Sequence, residues 1–245
     1  MNRVLMKLSE KPFAVIAHRG GSGLAPENTL LGVQRSLEVG SDLIEIDVQI
    51  TLDRIAVVFH DEDLRRIAGI NASIREMKYS DLSDIKINGE KIPTLEEVLS
   101  FSIDRIGVLI EVKKPGDEIH IMDLVRRLDA SQWIAIISFH TEVLRNVKRL
   151  DPYTPVGIIY YKPPGEILTA KREGFEIVLP RYTLATSRSV ELARRMNLKT
   201  IAWTVNDEKW FRELAARGVD GIATDYPDLG VRIKRSLSSE MYKTR

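Results

Sequence analysis

Short β-branched runs alternate with amphipathic stretches along most of the chain, and this pattern predicts strands and helices in regular succession. The apolar runs predict eight strands: 13–17, a second from Leu43, 106–112, 133–138, 155–160, 176–179, 199–204 and 219–223. The amphipathic stretches predict helices at 26–38, from Pro93, and at 117–128, 142–150, 165–172, 187–196, 207–216 and 228–238. Strands separated by helices of this length predict a parallel sheet, because parallel strands need a crossover connection.

Two parallel architectures compete for this pattern. An open doubly wound sheet would carry a G-x-G-x-x-G turn after its first strand, and the glycines at 20–23 have a different spacing. Eight strands with polar residues at their carboxyl ends favour a closed barrel. We therefore predict an α/β fold of the TIM-type (β/α)8 class, with residues 1–245 forming a single domain.

A hairpin is predicted after the second strand. The chain turns at Leu52-Asp53 and returns through residues 55–60, so that antiparallel pairing would place His60 opposite Glu45. Residues 61–92 are mixed and polar with weak periodicity, which predicts a short insertion of loops and helix.

In the helix predicted over residues 26–38, Pro26 is expected to lie in the first turn, where Glu27 would complement the helix dipole.

Three carboxylates are predicted to face the barrel mouth. Glu45 and Asp47 are two residues apart on one strand and share a face, and Glu111 has the equivalent position on another strand. Burying them unpaired would cost several kcal/mol per charge or force proton uptake. A divalent cation such as Mg²⁺ or Ca²⁺ would satisfy them, because hard ions prefer oxygen ligands. Internal ion pairs with Lys113 and Arg19, without any metal, remain the alternative.

The other polar residues around these acids indicate phosphate chemistry. His18 and His60 flank the acidic cluster, where one imidazole can act as general acid and the other as general base. Arg19 and Lys113 can hold a phosphate. Trp203 would give the site an apolar wall or belong to the core. These groups favour phosphoryl transfer or phosphodiester hydrolysis over a glycosidase, which needs only two carboxylates.

Composition excludes several other classes of site and partner. There are 36 basic and 35 acidic residues, so the net charge of +1 gives no reason to expect nucleic acid or an anionic membrane as a partner. The chain has no cysteine, which excludes disulfides and thiolate chemistry. No apolar run is long enough to span a membrane, and Lys7, Glu10 and Lys11 interrupt any signal-peptide core. We expect a cytoplasmic protein, whose oligomeric state these patterns do not define.

A set of short motifs, taken in order, is far more specific than any of its members. The motifs are His18-Arg19-Gly20, Pro26-Glu27-Asn28-Thr29, Glu45-x-Asp47-Val48, Thr51-x-Asp53, Val57-Val58-Phe59-His60-Asp61, Pro93-Thr94-Leu95, Glu111-Val112-Lys113, Trp203-Thr204-Val205-Asn206, Gly218-Val219-Asp220-Gly221 and Thr224-Asp225 with Pro227. Through them nearly the whole chain resembles the glycerophosphodiester phosphodiesterase family.

The resemblance implies a TIM-type barrel that hydrolyses a small-molecule glycerophosphodiester to glycerol 3-phosphate and an alcohol. It implies Mg²⁺ or Ca²⁺ bound by Glu45, Asp47 and Glu111, acid–base catalysis by His18 and His60, and phosphate contacts from Arg19 and Lys113. Two rival functions share the fold, namely a lysophospholipase D reaction and a catalytically silent binding barrel. The short insertion favours small deacylated substrates, and the hairpin departs from the family by having Asp53-Arg54 in place of Asp-Gly.

Overall fold

Eight parallel strands form a closed barrel in the computed structural model, which describes residues 2–243 and the side chains of residues 2–240. The barrel strands are β1 (Ala14–Ala17), β2 (Leu43–Ile50), β6 (Gly107–Val112), β7 (Ile134–Ser138), β8 (Val156–Tyr160), β9 (Ile177–Pro180), β10 (Lys199–Ala202) and β11 (Gly221–Thr224). Each pairs in parallel with its neighbours, and β1 pairs with both β2 and β11, so the sheet closes. The predicted TIM-type barrel is confirmed.

Helices cover the outside of the barrel. They are α2 (Leu30–Val39), α5 (Leu95–Ser102), α6 (Asp117–Arg127), α7 (Thr141–Leu150), α8 (Ile167–Glu173), α9 (Ser187–Arg195), α10 (Glu208–Arg217) and α11 (Pro227–Lys243). Alternation along the strands separates two apolar layers. On β2, Ile44, Ile46 and Val48 face outward into the layer beneath the helices. The opposite face of the same strand is free to carry polar groups into the barrel.

The amino-terminal helix α1 (Arg3–Lys7) contributes to the core inside the barrel. Val4 from this helix and Leu8 just after it are fully buried against inward residues that include Leu43 and Leu109. Asn2 caps the helix and also donates from Nδ2 to the carbonyls of residues 131 and 134. Apolar side chains therefore fill the inside of the barrel.

Helix α2 begins four residues later than its apolar pattern predicts. Thr29 is its N-cap, with Oγ1 accepting from the backbone N–H of Gly32. Asn28, immediately before it, has a positive φ of 58°, so the chain at Pro26 is still in the preceding loop. The prediction that Pro26 opens the helix is therefore wrong.

The hairpin after β2 is present, but its turn is one residue longer than predicted. The return strand β3 (Ala56–Val58) pairs Val58 with Val48, and Thr51 N–H donates to the carbonyl of Ile55. The loop therefore has three residues and ends at Arg54, whose φ is 65°, as three-residue hairpin loops usually require.

This longer turn changes the position of His60. The neighbouring Phe59 donates its N–H to the carbonyl of Asp47, which shifts the register by one residue. His60 consequently does not lie opposite Glu45, and that prediction is wrong. The histidine lies just beyond the end of the paired strand.

The insertion between the hairpin and α5 has its own small apolar core. It contains α3 (Arg65–Ala68), α4 (Tyr79–Ser83), β4 (Lys86–Ile87) and β5 (Glu90–Lys91). The core consists of Val57, Phe59, Leu64, Ile74, Leu82, Ile87 and Ile92. Since Val57 and Phe59 come from the hairpin, the insertion is packed onto the barrel by its own apolar residues. Within residues 2–243, no helix has both the length and the apolar character needed to cross a membrane.

Candidate active site

Three carboxylates meet at the carboxyl end of the barrel. Glu45 and Asp47 project from β2, and the parallel register pairs Asp47 directly with Glu111 on β6. One oxygen from each carboxylate lies within 4.8 Å of the others. The structure thus brings together the three acids that the alternation of the strands predicts.

Burial and mutual repulsion disturb the ionisation of these acids. Burial, together with the negative charge of Asp47, raises the pKa of Glu45 to about 8. The same two causes raise the pKa of Glu111. Burial also opposes the ionisation of Asp47, but the nearby Lys113 ammonium lowers the pKa of this carboxyl to about 2. The cluster therefore holds less negative charge than three ordinary carboxylates would.

Lys113 and Arg19 supply positive charge to the cluster. Lys113 Nζ lies 2.6 Å from Asp47 Oδ1 and 2.7 Å from Glu111 Oε1. The backbone N–H of Arg19 donates to Glu45 Oε2 at 2.8 Å, while its Nε is 3.7 Å from Asp47 Oδ2. The internal ion pairs that the sequence allowed are thus part of the site.

These ion pairs do not satisfy every carboxylate oxygen. Glu45 Oε1 is buried, and no group among the described residues donates a hydrogen bond to it. An orphaned carboxylate oxygen beside two further carboxylates is the environment that a hard divalent cation occupies in proteins. The donor set therefore fits a metal ion held by Glu45, Asp47 and Glu111.

Asn28 supports the acidic cluster in a way that the sequence reasoning missed. Its Nδ2 donates to Asp47 Oδ2 at 2.8 Å, and its Oδ1 accepts from the backbone N–H of Asp47. Asn28 as a whole is 2% exposed. The signal available in the sequence was an asparagine just before a helix N-cap. Asparagine tolerates the positive φ found here, and this conformation is part of the loop that brings the side chain to Asp47.

His18 lies directly after β1 and is held by a carboxylate from the adjacent strand. Its Nδ1 is 2.7 Å from Asp225 Oδ1, and its Nε2 is 4.0 Å from Glu45 Oε2. Burial opposes protonation, but the hydrogen bond to Asp225 and the surrounding negative charges outweigh it and raise the pKa of His18. Asp225 also accepts from Ser22 Oγ at 2.7 Å and Asn206 Nδ2 at 2.6 Å.

Asp225 was not among the predicted site residues. It follows the last strand of the barrel, at the same carboxyl end as the other functional groups. That position was the signal available in the sequence. Burial opposes its ionisation, but its hydrogen bond with His18 lowers the pKa of Asp225 below its ordinary value. The residue is therefore an anionic anchor for the imidazole.

His60 has a comparable partner in the next residue. Its Nδ1 lies 2.6 Å from Asp61 Oδ1. Here burial is the largest influence and lowers the pKa of His60, although Asp47 and Asp61 oppose this. Asp47 is close enough for its charge to act on His60, which relates the hairpin to the acidic cluster.

Trp203 forms part of an apolar wall beside the acids. Its Nε1 donates to the carbonyl of Leu179 at 2.7 Å, and its ring packs edge to face on Phe139. Trp203 lines the same small cavity as His18, Glu45 and Glu111. Both predicted roles therefore hold, because Trp203 lines the cavity and also packs against the apolar core inside the barrel.

Glu27 has a different role from the one predicted for it. It precedes the N-cap of α2, and its Oε1 lies 3.1 Å from Arg19 Nη1 and 2.5 Å from Arg66 Nη2. Its charge therefore orients two arginines, because the helix begins too late for Glu27 to lie in its first turn.

A family model for glycerophosphoryl diester phosphodiesterases matches residues 18–229, which include every site residue described above. The chain belongs to this family. It is 31% identical over 237 residues to a glycerophosphodiester phosphodiesterase of Caldanaerobacter subterraneus, covering 90% of this chain and 97% of that protein. It is also 25% identical over 260 residues to the human lysophospholipase D GDPD3, covering 86% and 81% of the two chains.

A solved structure of a similar phosphodiesterase contains a reaction product. The phosphodiesterase from Oleispira antarctica, in complex with sn-glycerol 3-phosphate, superposes with a TM-score of 0.83 at 26% identity, covering 92% of this chain and 96% of that one. The fold and the family together assign the chain to the phosphodiesterase class of enzymes.

Proposed function

We propose that this chain hydrolyses glycerophosphodiesters to sn-glycerol 3-phosphate and an alcohol. The observation that carries the proposal is the pair of histidines, each bound to its own aspartate, beside a carboxylate cluster that also contains Lys113. Acid–base catalysis of ester hydrolysis needs two proton carriers, and the phosphate needs cationic groups near it.

The side chains divide the work of the reaction. One of His18 and His60 removes the proton from the attacking oxygen, and the other donates a proton to the oxygen of the leaving alcohol. Arg19 and Lys113 bind the phosphate oxygens, and Trp203 packs against the carbon skeleton of the substrate. Glu45, Asp47 and Glu111 hold Mg²⁺ or Ca²⁺, which would supply Lewis-acid stabilisation of the negative phosphate.

The identity of the substrate is supported by the relatives. The Oleispira antarctica phosphodiesterase binds sn-glycerol 3-phosphate, and its structure aligns over most of this chain. All five histidine and acid residues of the proposed site are present, which disfavours a silent binding barrel. A small-molecule diester therefore accounts for the site best.

The test measures sn-glycerol 3-phosphate released from glycerophosphocholine and glycerophosphoethanolamine, with and without EDTA. We expect release from at least one diester, its loss in EDTA, and its recovery when Mg²⁺ or Ca²⁺ is added back. Activity that a chelator leaves unchanged would contradict the metal assignment. A folded protein that cleaves neither diester would contradict the proposed reaction.

A lysophospholipase D reaction is the second candidate, favoured by the similarity to the human enzyme of that name. Such a reaction needs an apolar surface near the mouth for an acyl chain. Ile158, Ile159 and Tyr160 are buried in β8, but Phe139 and Tyr161 are 40% and 50% exposed and stack edge to face. Faster cleavage of lysophosphatidylcholine than of glycerophosphocholine would favour this reaction.

A further inference from the structure

Arg66 connects the insertion to two carboxylates beside the active site. It belongs to the short helix α3, and its Nε lies 2.5 Å from Asp61 Oδ2. The same guanidinium donates from Nη2 to Glu27 Oε1 at 2.5 Å and from Nη1 to Glu27 Oε2 at 3.1 Å. The planar guanidinium thus makes two hydrogen bonds to Glu27 while its Nε binds Asp61, a fork geometry that lysine cannot reproduce.

Each of these carboxylates holds a residue of the proposed site. Asp61 binds Nδ1 of His60, and Glu27 binds Nη1 of Arg19. A continuous chain of contacts therefore runs from His60 through Asp61, Arg66 and Glu27 to Arg19. One residue of the insertion connects a proton carrier to a phosphate-binding arginine.

Arg66 has no substitute in this chain of contacts. Among the side chains of residues 2–240, only His60 and Arg66 donate to the carboxylate of Asp61. Asp225, by comparison, is held by Ser22 and Asn206 in addition to its histidine. Removing Arg66 would leave the Asp61 carboxylate held by the imidazole alone.

The state of Asp61 matters because it selects the tautomer of His60. An ionised carboxylate can only accept, so Nδ1 must carry the proton and Nε2 is left available to the substrate. A carboxylate that rotates away no longer enforces this tautomer or the ring orientation. Carboxylate partners that orient metal-bound histidines are worth about 10- to 100-fold in metal affinity or activity, and we expect an effect at the lower end of this range for His60.

We propose that Arg66 is a positioning residue for the phosphodiesterase reaction, which orients His60 through Asp61 and Arg19 through Glu27. This inference rests on the proposed function. Arg66 itself does not touch the reacting atoms. Its side chain is 50% exposed, and ion pairs at that exposure contribute little to folding stability.

The first test compares Arg66→Ala and Arg66→Lys with the wild-type protein on glycerophosphocholine. We expect Arg66→Ala to lower kcat by roughly 10-fold with a smaller change in KM. Arg66→Lys should recover only part of the loss, because an ammonium lacks the planar fork that makes two parallel hydrogen bonds to Glu27 while Nε binds Asp61. Free guanidinium ion at millimolar concentration should partly restore Arg66→Ala and leave the wild type unaffected.

Arg65→Ala is the matched control. Arg65 neighbours Arg66 on the same helix and also pairs with an aspartate, Asp63, at 3.0 Å, but Asp63 contacts no proposed site residue. Arg65→Ala should therefore keep wild-type kcat. Both variants should keep the wild-type thermal unfolding midpoint to within a few degrees, which excludes a general loss of structure as the cause.

Three outcomes would overturn the inference. The first is unchanged kcat in Arg66→Ala while the wild type is active. The second is a loss confined to KM that varies with the head group, since that result would place Arg66 in contact with substrate. The third is a lowered thermal unfolding midpoint in Arg66→Ala, together with a loss of activity that guanidinium does not restore. An inactive wild type would instead contradict the proposed function, so the two failures are distinguishable.

Discussion

The two histidines of the site are held in different ways. His18 follows β1 and pairs with Asp225, which lies 207 residues away and follows the adjacent strand β11. His60 pairs with the residue next to it, in a loop that leads into the insertion. Their side chains are 20% and 32% exposed, and their pKa values shift in opposite directions.

The site therefore has two halves: the barrel strands position His18, and the hairpin and insertion position His60. The register of two strands brings His18 to its aspartate, so the pair exists wherever the barrel is folded. The His60 pair is local, and its aspartate also accepts a hydrogen bond from Arg66 of α3. We infer that the barrel half of the site is the more rigid half, and four predictions test this comparison.

The largest effect should come from removing either imidazole. His18→Ala and His60→Ala should each lower kcat by about 100- to 10,000-fold, because each removes a general acid or base. Affinity for Mg²⁺ or Ca²⁺, measured by calorimetry, should change little since neither histidine is a proposed ligand. Near-wild-type turnover in either variant would show that its histidine is not a proton carrier.

Replacing the aspartates should affect the two halves unequally. Asp225→Asn should lower kcat by roughly 100-fold and also lower the unfolding midpoint, because it leaves the partly buried His18 and two further donors without their acceptor charge. Asp61→Asn should lower kcat by roughly 10-fold with little change in the midpoint. Equal effects in steady-state kinetics and thermal unfolding would contradict the comparison.

Metal affinity should depend on pH through Glu45, whose Oε2 lies 4.0 Å from Nε2 of His18. Its pKa of about 8 means that the metal-free carboxyl is protonated at lower pH, and a bound cation must displace that proton. Affinity for Mg²⁺ or Ca²⁺ should therefore rise by up to about tenfold per pH unit below pH 8 and level off above it. Calorimetry in buffers of different ionisation enthalpy would count the protons released, and none released at pH 6.5 would exclude this role.

The smallest effect should be on the pH dependence of stability in EDTA. The raised pKa of His18 stabilises the fold below the unfolded value of about 6.5, and this contribution is lost as pH rises through the folded pKa. The lowered pKa of His60 has the opposite sign, since protonation below about 6.5 favours the unfolded chain.

The two alanine variants separate these contributions. His18→Ala should reduce the free energy of unfolding more at pH 5.5 than at pH 8.5. His60→Ala should show the reverse, with a smaller reduction at pH 5.5 than at pH 8.5. Urea denaturation at the two pH values gives both differences. If both variants changed with pH in the same direction, the environments assigned to the histidines would be wrong.

Much of the molecule was predictable because its determinants are local. The β-branched runs and the amphipathic stretches between them predict eight strands, and the structure confirms the barrel that they form. Two-residue spacing predicts that Glu45 and Asp47 share a face, and both project into the site. The helix predicted from Pro93 is also present, with Thr94 as its N-cap and Glu97 completing a capping box.

The errors arose where one backbone conformation or one distant partner decides the outcome. Arg54 adopts a positive φ, which lengthens the hairpin turn and moves His60 by one position. Asn28 also adopts a positive φ, so α2 begins after it and not at Pro26. Glu27 therefore lies in the preceding loop, where it pairs with Arg19 and Arg66. No periodic pattern reports a single left-handed residue. The metal ion, the roles of the site residues and the cytoplasmic location stay predictions.

Local sequence patterns were enough to predict the barrel, its order of strands and helices and the acidic face of β2, because periodicity and side-chain alternation depend only on neighbours along the chain. Tertiary structure alone decided that Asp225 serves His18 and that Arg66 connects Asp61 to Glu27. These partners meet through strand closure and the docking of an insertion. The segment from Leu43 to Asp61 contains much of the site, but Asn28, Arg66 and Lys113 from outside the segment hold its side chains.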